Sequence, residues 1–354
     1  MKGLVLAGGS GTRLRPITFS SAKQLVPVAN RPILFHALDQ LADAGVRQVG
    51  VVVGEHGDEV RTAVGDGEAF GLEVTFIRQP RPLGIAHALL TAEEFLDGDD
   101  VVLFLGDNLV EGGVTSLVHR FASERPTAQL LVKDVDDPSA FGVAVVRDGV
   151  VQRLVEKPAE PPSSSALVGV YLLSHDVLEA ARRIAPSLRG ELEITDALQR
   201  CIDDGGRVQA TELSGWWLDT GKKDDVLDAN RLLLAELTGR VDGVVDAASR
   251  LTGTVVVEPG ARVRGSSLHG PVVIGAGTRV TDAVVGPDTS VGERCELVDC
   301  EVVDSVVMAD SRIDGVGRIE HCLVGRRVTL AAGGGVAHRI VAGDDSFLEL
   351  RGGS

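Results

Sequence analysis

The sequence predicts a chain of two parts: an α/β unit built on a mostly parallel sheet, then a left-handed parallel β-helix. Two observations predict this. Short β-branched runs alternate with helical segments up to about residue 110, and aliphatic residues recur every six positions beyond about residue 245. A length of 354 residues accommodates both parts, since single cores seldom grow past roughly 250–300 residues. The change of texture divides the chain into 1–240 and 241–354.

In the first part, strands at 3–7, 48–53, 73–77 and 101–105 alternate with helices at 32–44, 59–64 and 85–95. That order predicts a Rossmann-like parallel sheet with helices on both faces. The near-continuous apolar run at 49–53 fits a strand buried on two sides. From 127 to 173 the runs at 128–135, 143–146, 150–155 and 166–173 are mostly strands, an antiparallel extension of the sheet. Helices are expected at 176–184, 191–203 and 222–237.

In the second part the six-residue spacing links Val257 with Val263, Ile274 with Val280, and Val285 with Val291, Leu297 and Val303. It continues through Val307, Ile313 and Ile319, then Val324, Leu330 and Val336. Glycine, aspartate or proline fills the gaps, as in Ile274-Gly275-Ala276-Gly277-Thr278. Each short strand then supplies one inward aliphatic, a small residue turns the corner, and stacked coils share an apolar column. At three hexapeptides per coil the stretch makes about five coils. An irregular antiparallel β domain is the alternative for a stretch rich in glycine and valine, and the persistence of the period argues against it.

A net charge of −16 argues against nucleic-acid partners, and any phosphate site must be assembled locally from amides, a few cations or a metal. The apolar run near the start is too short for a signal-peptide core or a membrane span, so a cytoplasmic protein is expected, with no membrane partner. Cys201, Cys295, Cys300 and Cys322 form no CxxC pair and read as reduced structural thiols. The eight histidines form no ligand-spaced pair.

The first chemical motif is Leu6-Ala7-Gly8-Gly9-Ser10-Gly11-Thr12-Arg13-Leu14-Arg15-Pro16, at the carboxyl end of the first strand. Glycines there let backbone N–H groups approach a polyphosphate. The loop lacks the closing Lys-Ser/Thr of a Walker A motif, and Pro16 stands where a dinucleotide fingerprint needs an entering helix. Arg13, Arg15 and Lys23 gather cations beside it. Asp107, in Leu105-Gly106-Asp107-Asn108, ends the apolar run 101–105, and Asp219 lies in Trp217-Leu218-Asp219-Thr220-Gly221; each is also a plausible turn residue. Gln79 offers an amide donor and acceptor that suits a loop cap.

These stretches resemble the sugar-1-phosphate nucleotidyltransferase family. Further matches follow in family order across the first 240 residues: Gln79-Pro80-Arg81-Pro82-Leu83-Gly84, Phe141-Gly142-Val143, Glu156-Lys157-Pro158, Val168-Gly169-Val170-Tyr171 and Glu191-Leu192-Glu193-Ile194-Thr195-Asp196. The resemblance implies that Asp107 and Asp219 hold Mg²⁺. It implies that Arg13 and Lys23 bind the β- and γ-phosphates and that Lys157 grips the attacking sugar phosphate, these three being the catalytic cations. It places Leu6, Ala7, Gly8, Gly9, Gly11, Thr12, Arg13, Gln79, Pro82, Gly84 and Asp107 around the nucleotide, and Asn108, Gly142, Glu156, Lys157, Val168 and Gly169 around the sugar phosphate. Residues 189–196 are expected to act only indirectly. The Lys23-Gln24 pair, Gly106-Asp107-Asn108 and the Glu-Leu-Glu-Ile-Thr-Asp run look most like the members that take dTTP and glucose 1-phosphate, and the added hexapeptide tail looks like their long form. The alternatives are a UTP-using enzyme, possibly bifunctional with acetyl transfer on the tail, and a noncatalytic regulatory subunit. The tail is expected to form a homo-oligomer.

Overall fold

The computed structural model describes residues 1–9, 11–331 and 341–349. The chain divides into two compact units, one of Met1–Ser10 with Ile33–Asp219, the other of Gly11–Pro32 with Thr220–Ser354.

The first unit is built on a nine-stranded sheet. Its strands are β1 (Lys2–Ala7), β2 (Gln48–Val53), β3 (Glu73–Arg78), β4 (Val101–Leu105), β6 (Ala128–Asp134), β7 (Gly142–Arg147), β8 (Val150–Glu156), β9 (Ser165–Leu173) and β10 (Val208–Glu212). A short ribbon beside it pairs β5 (Asn108–Val110) with β11 (Trp217–Asp219). The order across the sheet is β3-β2-β1-β4-β9-β6-β10-β8-β7. Strands β3, β2, β1 and β4 are parallel, and β9 runs antiparallel to both β4 and β6. The parallel half and its antiparallel extension are those read from the alternation and from the strand-rich stretch 127–173. Leu4, Val5, Val51, Val52, Leu103 and Phe104 are fully buried, as central parallel strands covered on both faces require.

Helices α1 (Ile33–Asp43), α2 (Gly57–Val64), α3 (Ile85–Thr91), α4 (Thr115–Glu124), α5 (Asp176–Ala181) and α6 (Ile194–Asp203) cover the sheet. Two expected helices differ. The one read at 85–95 breaks at Ala92, and a separate turn of helix occupies Glu93–Leu96. The one read at 191–203 starts only at Ile194, because the Leu192 backbone is bonded elsewhere: its N–H donates to Leu83 O and its carbonyl accepts from Ala86 N.

In the second unit the strand pairings from Arg240 onward are all parallel, so the antiparallel alternative fails. The strands stack in three columns and fit a parallel β-helix. One column has seven strands, more than five coils supply. Val255 pairs with Val272 and Val272 with Thr289, a step of 17 residues rather than the 18 of three full hexapeptides. The shortened step moves the phase. A register shift between Val298 and Cys300 brings Val302 to the interior, fully buried, where the spacing had placed Val303. The other assigned positions from Val257 to Leu330 are buried, together with Leu268, which the period passes over. Val336 and His338 lie outside the described residues.

One column is apolar on its outer side as well. Val256 and Val273 point away from the interior cluster and are buried against Leu234 and Leu237, at the C-terminal end of helix α7 (Lys223–Glu236). From Lys223 Nζ on His321 O to Leu234 on Val256, α7 runs along five coils, four spacings apart end to end. Fourteen residues make a helix of about 21 Å, and four strand spacings cover about 19 Å, so the lengths agree. All four cysteines are buried thiols that form no disulfide.

Candidate active site

The glycines of the first motif stand where the parallel strands end. Gly8 follows β1 and Gly54 follows β2, and a Cβ at Gly54 would lie 2.8 Å from Gly8 O. The two loops therefore run backbone to backbone, leaving the Gly8 amide beside the loop carrying Gln79. A Cβ on Gly8 would come within 3.4 Å of Gln79 Oε1. Gln79 Nε2 donates to Gly84 O at 3.3 Å and sits 2.9 Å from His87 Nδ1. Burial, with Arg81 in support, lowers the His87 pKa, so its neutral ring can accept that bond. In this structure Gln79 caps its own loop. Gly84 has φ +101° and packs on Leu192, whose N would lie 2.9 Å from an added Cβ. Leu6 is half-buried, Ala7 buried, and Gly9 and Pro82 exposed.

The two nominated carboxylates are brought together by the β5–β11 ribbon, in which Asp219 is the direct partner of Asn108, the neighbour of Asp107. Asp107 is buried at the end of β4, and Asn108 Nδ2 donates to its Oδ1 at 3.2 Å. Trp217 Nε1 donates to Asn108 Oδ1 at 2.6 Å, and the Trp217 ring packs on Phe141 with centroids 4.9 Å apart. Gly169 completes the arrangement: a Cβ there would lie 2.8 Å from Asn108 Cγ. Val168 and Gly169 fall in a register irregularity of β9 against β6.

Glu156 ends β8. Its carboxylate accepts from Thr195 Oγ1 at 3.1 Å and Arg189 Nη2 at 3.1 Å, with Lys157 Nζ 3.8 Å away. Burial first, then the nearby Glu193 charge, raises its pKa against the lowering effect of Lys157, Thr195 and Arg189. A Cβ at Gly142 would sit 2.8 Å from Thr195 Cγ2 and 3.3 Å from Glu156 Oε2, so glycine lets both side chains pack closely here. Lys157 has φ +39°, a left-handed turn fixed by its N–H donating to Phe141 O at 3.0 Å.

Gly11, Thr12, Arg13 and Lys23 belong to the second unit. Thr18 Oγ1 donates to Gly11 O at 2.7 Å, and a Cβ on Gly11 would meet the Lys23 side chain at 3.1 Å. The Arg13 guanidinium lies over Gly221, where an added Cβ would come 2.8 Å from Arg13 Cζ and nearer still to Nη2. The motif glycine two residues past Asp219 is thus a seat for Arg13.

Sequence reasoning missed several residues. Arg189, Glu193 and Thr195, expected to act at a distance, form a network directly on Glu156: Arg189 Nη2 donates to both Glu193 oxygens at 2.8 Å. The Glu191–Asp196 run was visible, but its fold back onto β8 was not. Gln24, beside Lys23, is buried with an Oε1 that has no hydrogen-bond partner among the described residues. Among those residues no helix is long and apolar enough to cross a membrane.

A family model described as nucleotidyl transferase matches residues 2–236. A glucose-1-phosphate thymidylyltransferase of Streptomyces griseus is 53% identical over 353 residues, 99% of each chain. Its namesake in Streptomyces antibioticus is 50% identical over 355 residues, 99% of this chain and 100% of that one. A Bacillus anthracis protein assigned the same activity, solved with sucrose, aligns with a TM-score of 0.63 and 37% identity, covering 68% of this chain and 98% of its own. The family match covers the whole strand-and-loop framework that carries Gly8, Gln79, Asp107, Glu156 and Asp219, and with whole-length relatives at this identity the chain belongs to the sugar-1-phosphate nucleotidyltransferase family.

Proposed function

We propose that the protein joins dTTP and α-D-glucose 1-phosphate to give dTDP-glucose and pyrophosphate. The observation that carries this reading is identity of 50% or more to two thymidylyltransferases along the whole chain. A sugar-phosphate oxygen attacks the α-phosphorus, the new O–P bond forms, and the bond to the β-phosphate oxygen breaks as pyrophosphate leaves. The attacking oxygen is already ionised at neutral pH, so no general base and no covalent enzyme intermediate are needed. Catalysis is positioning and charge neutralisation.

Each residue has a task in this scheme. Gly8, Gly9, Gly11 and Thr12 present backbone to the triphosphate, with Leu6 and Ala7 beneath them. Arg13 and Lys23 take the β- and γ-phosphates and the departing pyrophosphate. Gln79 turns its amide to the pyrimidine edge, Gly84 lets backbone meet the base, and Pro82 borders it. Lys157 holds the sugar phosphate. Glu156 accepts from hexose hydroxyls, with Asn108, Gly142, Val168 and Gly169 shaping that pocket.

Asp219 and Asp107, which immediately precedes the Asn108 that pairs with Asp219, offer two hard-oxygen donors, and among the described residues no group of three or more His, Cys, Asp or Glu is arranged to hold a metal ion. That donor set fits Mg²⁺, which takes one or two carboxylates and completes its shell with substrate phosphate and water. When bound, the ion supplies neutralisation of phosphate charge.

We assign catalysis to residues 1–240 and read 241–354 as a left-handed β-helix of hexapeptide repeats that mediates homo-oligomer formation in a cytoplasmic enzyme. Incubating purified protein with Mg²⁺, glucose 1-phosphate and each NTP in turn, and measuring pyrophosphate, tests the assignment. Preference for dTTP is expected. Equal or faster turnover with UTP overturns the base assignment, and silence with every NTP overturns the enzyme reading.

A further inference from the structure

The segment 11–32, which carries Arg13 and Lys23, belongs to the same compact unit as the β-helix, and helix α7 with the turn that precedes it holds it at two places. At the start of the helix, Gly221 seats the Arg13 guanidinium. Midway, Asn230 grips the tight hairpin in which Pro27 pairs with Pro32 and Val28 with Arg31. Asn230 is fully buried and uses both ends of its amide: Oδ1 accepts from Ala29 N at 2.9 Å and Ser290 Oγ at 2.5 Å, and Nδ2 donates to Asp288 O at 3.1 Å. One side chain thus links the hairpin to two positions of one coil. The hairpin adds its own bond, Asn30 Nδ2 donating to Val291 O at 2.7 Å, and Ala29 packs on Leu234, Val256 and Val273.

Asparagine meets this geometry where neighbours in size do not. A leucine would leave the Ala29 N–H and Asp288 carbonyl buried and unpaired, and an aspartate would face the Asp288 carbonyl with an acceptor. The Ala29 and Asn30 backbones are both left-handed, with φ +47° and +62°, so this turn is held in place rather than left to slide. Lys23 lies four residues ahead of Pro27, and the intervening Gln24, Leu25 and Val26 are buried. A displacement of the hairpin is therefore transmitted along a packed segment to the Lys23 backbone.

We propose that Asn230 is a positioning residue for the pyrophosphate-binding cations: through the 27–32 hairpin it locks the Arg13–Lys23 segment to the β-helix. This rests on the reading of Arg13 and Lys23 as the residues that hold the departing pyrophosphate. The tail then serves the chemistry as scaffold.

The test uses the full-length protein with Mg²⁺ in the reverse direction, varying pyrophosphate and dTDP-glucose separately. Asn230→Ala removes three hydrogen bonds, of which the one to Ala29 holds the hairpin, and is expected to raise KM for pyrophosphate about tenfold, the effect of that one bond, while KM for dTDP-glucose stays within twofold. Asn30→Ala, a milder change should the first variant fold poorly, is expected to show the same split. Ser290→Ala, which keeps the Ala29 bond, is expected to show none. An equal rise in both KM values, or a fall in kcat with neither KM moved, marks a merely structural role and overturns the proposal. Amide hydrogen exchange on the same variants reads the lock without activity: faster exchange confined to 11–32 is expected, and wild-type protection there overturns the proposal. Silence of the wild-type enzyme with every nucleotide sinks the functional reading instead and leaves the exchange result to decide this one.

Discussion

Gly221→Ala isolates the placement of Arg13 from the stability of the fold. A Cβ at this position would lie 2.8 Å from Arg13 Cζ. Carbon atoms in ordinary contact stand about 3.5–4.0 Å apart, so the guanidinium has to retreat by on the order of 1 Å. The atoms displaced are the far end of a flexible side chain, so the substitution should change unfolding free energy by less than about 1 kcal/mol. Catalysis is less forgiving, because a misplacement of about 1 Å at a positioned group can cost ~100-fold. The expected result is a fall of about 10- to 100-fold in kcat/KM for dTTP, measured by pyrophosphate release, with a thermal midpoint close to wild type. Gly84→Ala supplies the contrast: its Cβ would strike the Leu192 backbone at a φ of +101°, so activity and stability should fall together. Gly221→Ala within twofold of wild type in kcat/KM would refute the assignment of Gly221 as the seat of a catalytic arginine.

Asp107→Asn removes one of the two carboxylate charges proposed to hold the cation and should lower turnover by orders of magnitude with the circular dichroism spectrum unchanged; near-normal turnover removes Asp107 from the proposed metal site. In the proposed scheme Glu156 accepts from sugar hydroxyls, more strongly when ionised, and burial followed by Glu193 raises its pKa. As pH falls through that raised value the carboxylate protonates, so kcat/KM for glucose 1-phosphate should drop at a pH above the ordinary carboxylate range, and Glu156→Gln should abolish this acid limb. A limb that persists in the variant belongs to another group. In the β-helix, Val302→Ala should cost about 2 kcal/mol in denaturant unfolding and Val303→Ala under ~0.5, because only Val302 is fully buried. The reverse order would contradict the shifted phase.

What the sequence revealed and what it hid follow from the range of the interactions. Strand β4 and Asp107 were legible because an apolar run ending in Gly-Asp-Asn is a local pattern. Asp219 was legible only as a motif, since its approach to Asp107 depends on Trp217 pairing with Val110 across more than one hundred residues of chain. The same holds for Thr195 and Arg189, whose contact with Glu156 depends on where the 187–193 loop folds back. The β-helix period was visible, but the register shift at Val298 was not, so Val303 was placed one residue out of phase. One local signal went unread. Val255-Val256-Val257 and Val272-Val273-Ile274 are apolar at three successive positions, and a strand with only its inner face buried should alternate. The middle residues were recording a second packing surface, the one α7 covers.

That second surface bears on why the tail is attached. Helix α7 lies before residue 240, within the span of the family match, yet its apolar side and its buried Asn230 are satisfied by residues of the β-helix. Cutting the chain at 240 would expose Leu234 and Leu237 and leave Asn230 without Ser290 and Asp288. The chain itself shows the same division of labour. After β1 it leaves the first unit at Gly11, contributes Arg13 and Lys23 to the second, and returns at Ile33. Asp107, Glu156 and Asp219 thus belong to one unit, and Arg13 and Lys23 to the other. In a chain of net charge −16, the few cations of a polyphosphate site must be held firmly, since surrounding charge repels the ligand they serve. A rigid stack of parallel coils behind α7 provides that hold.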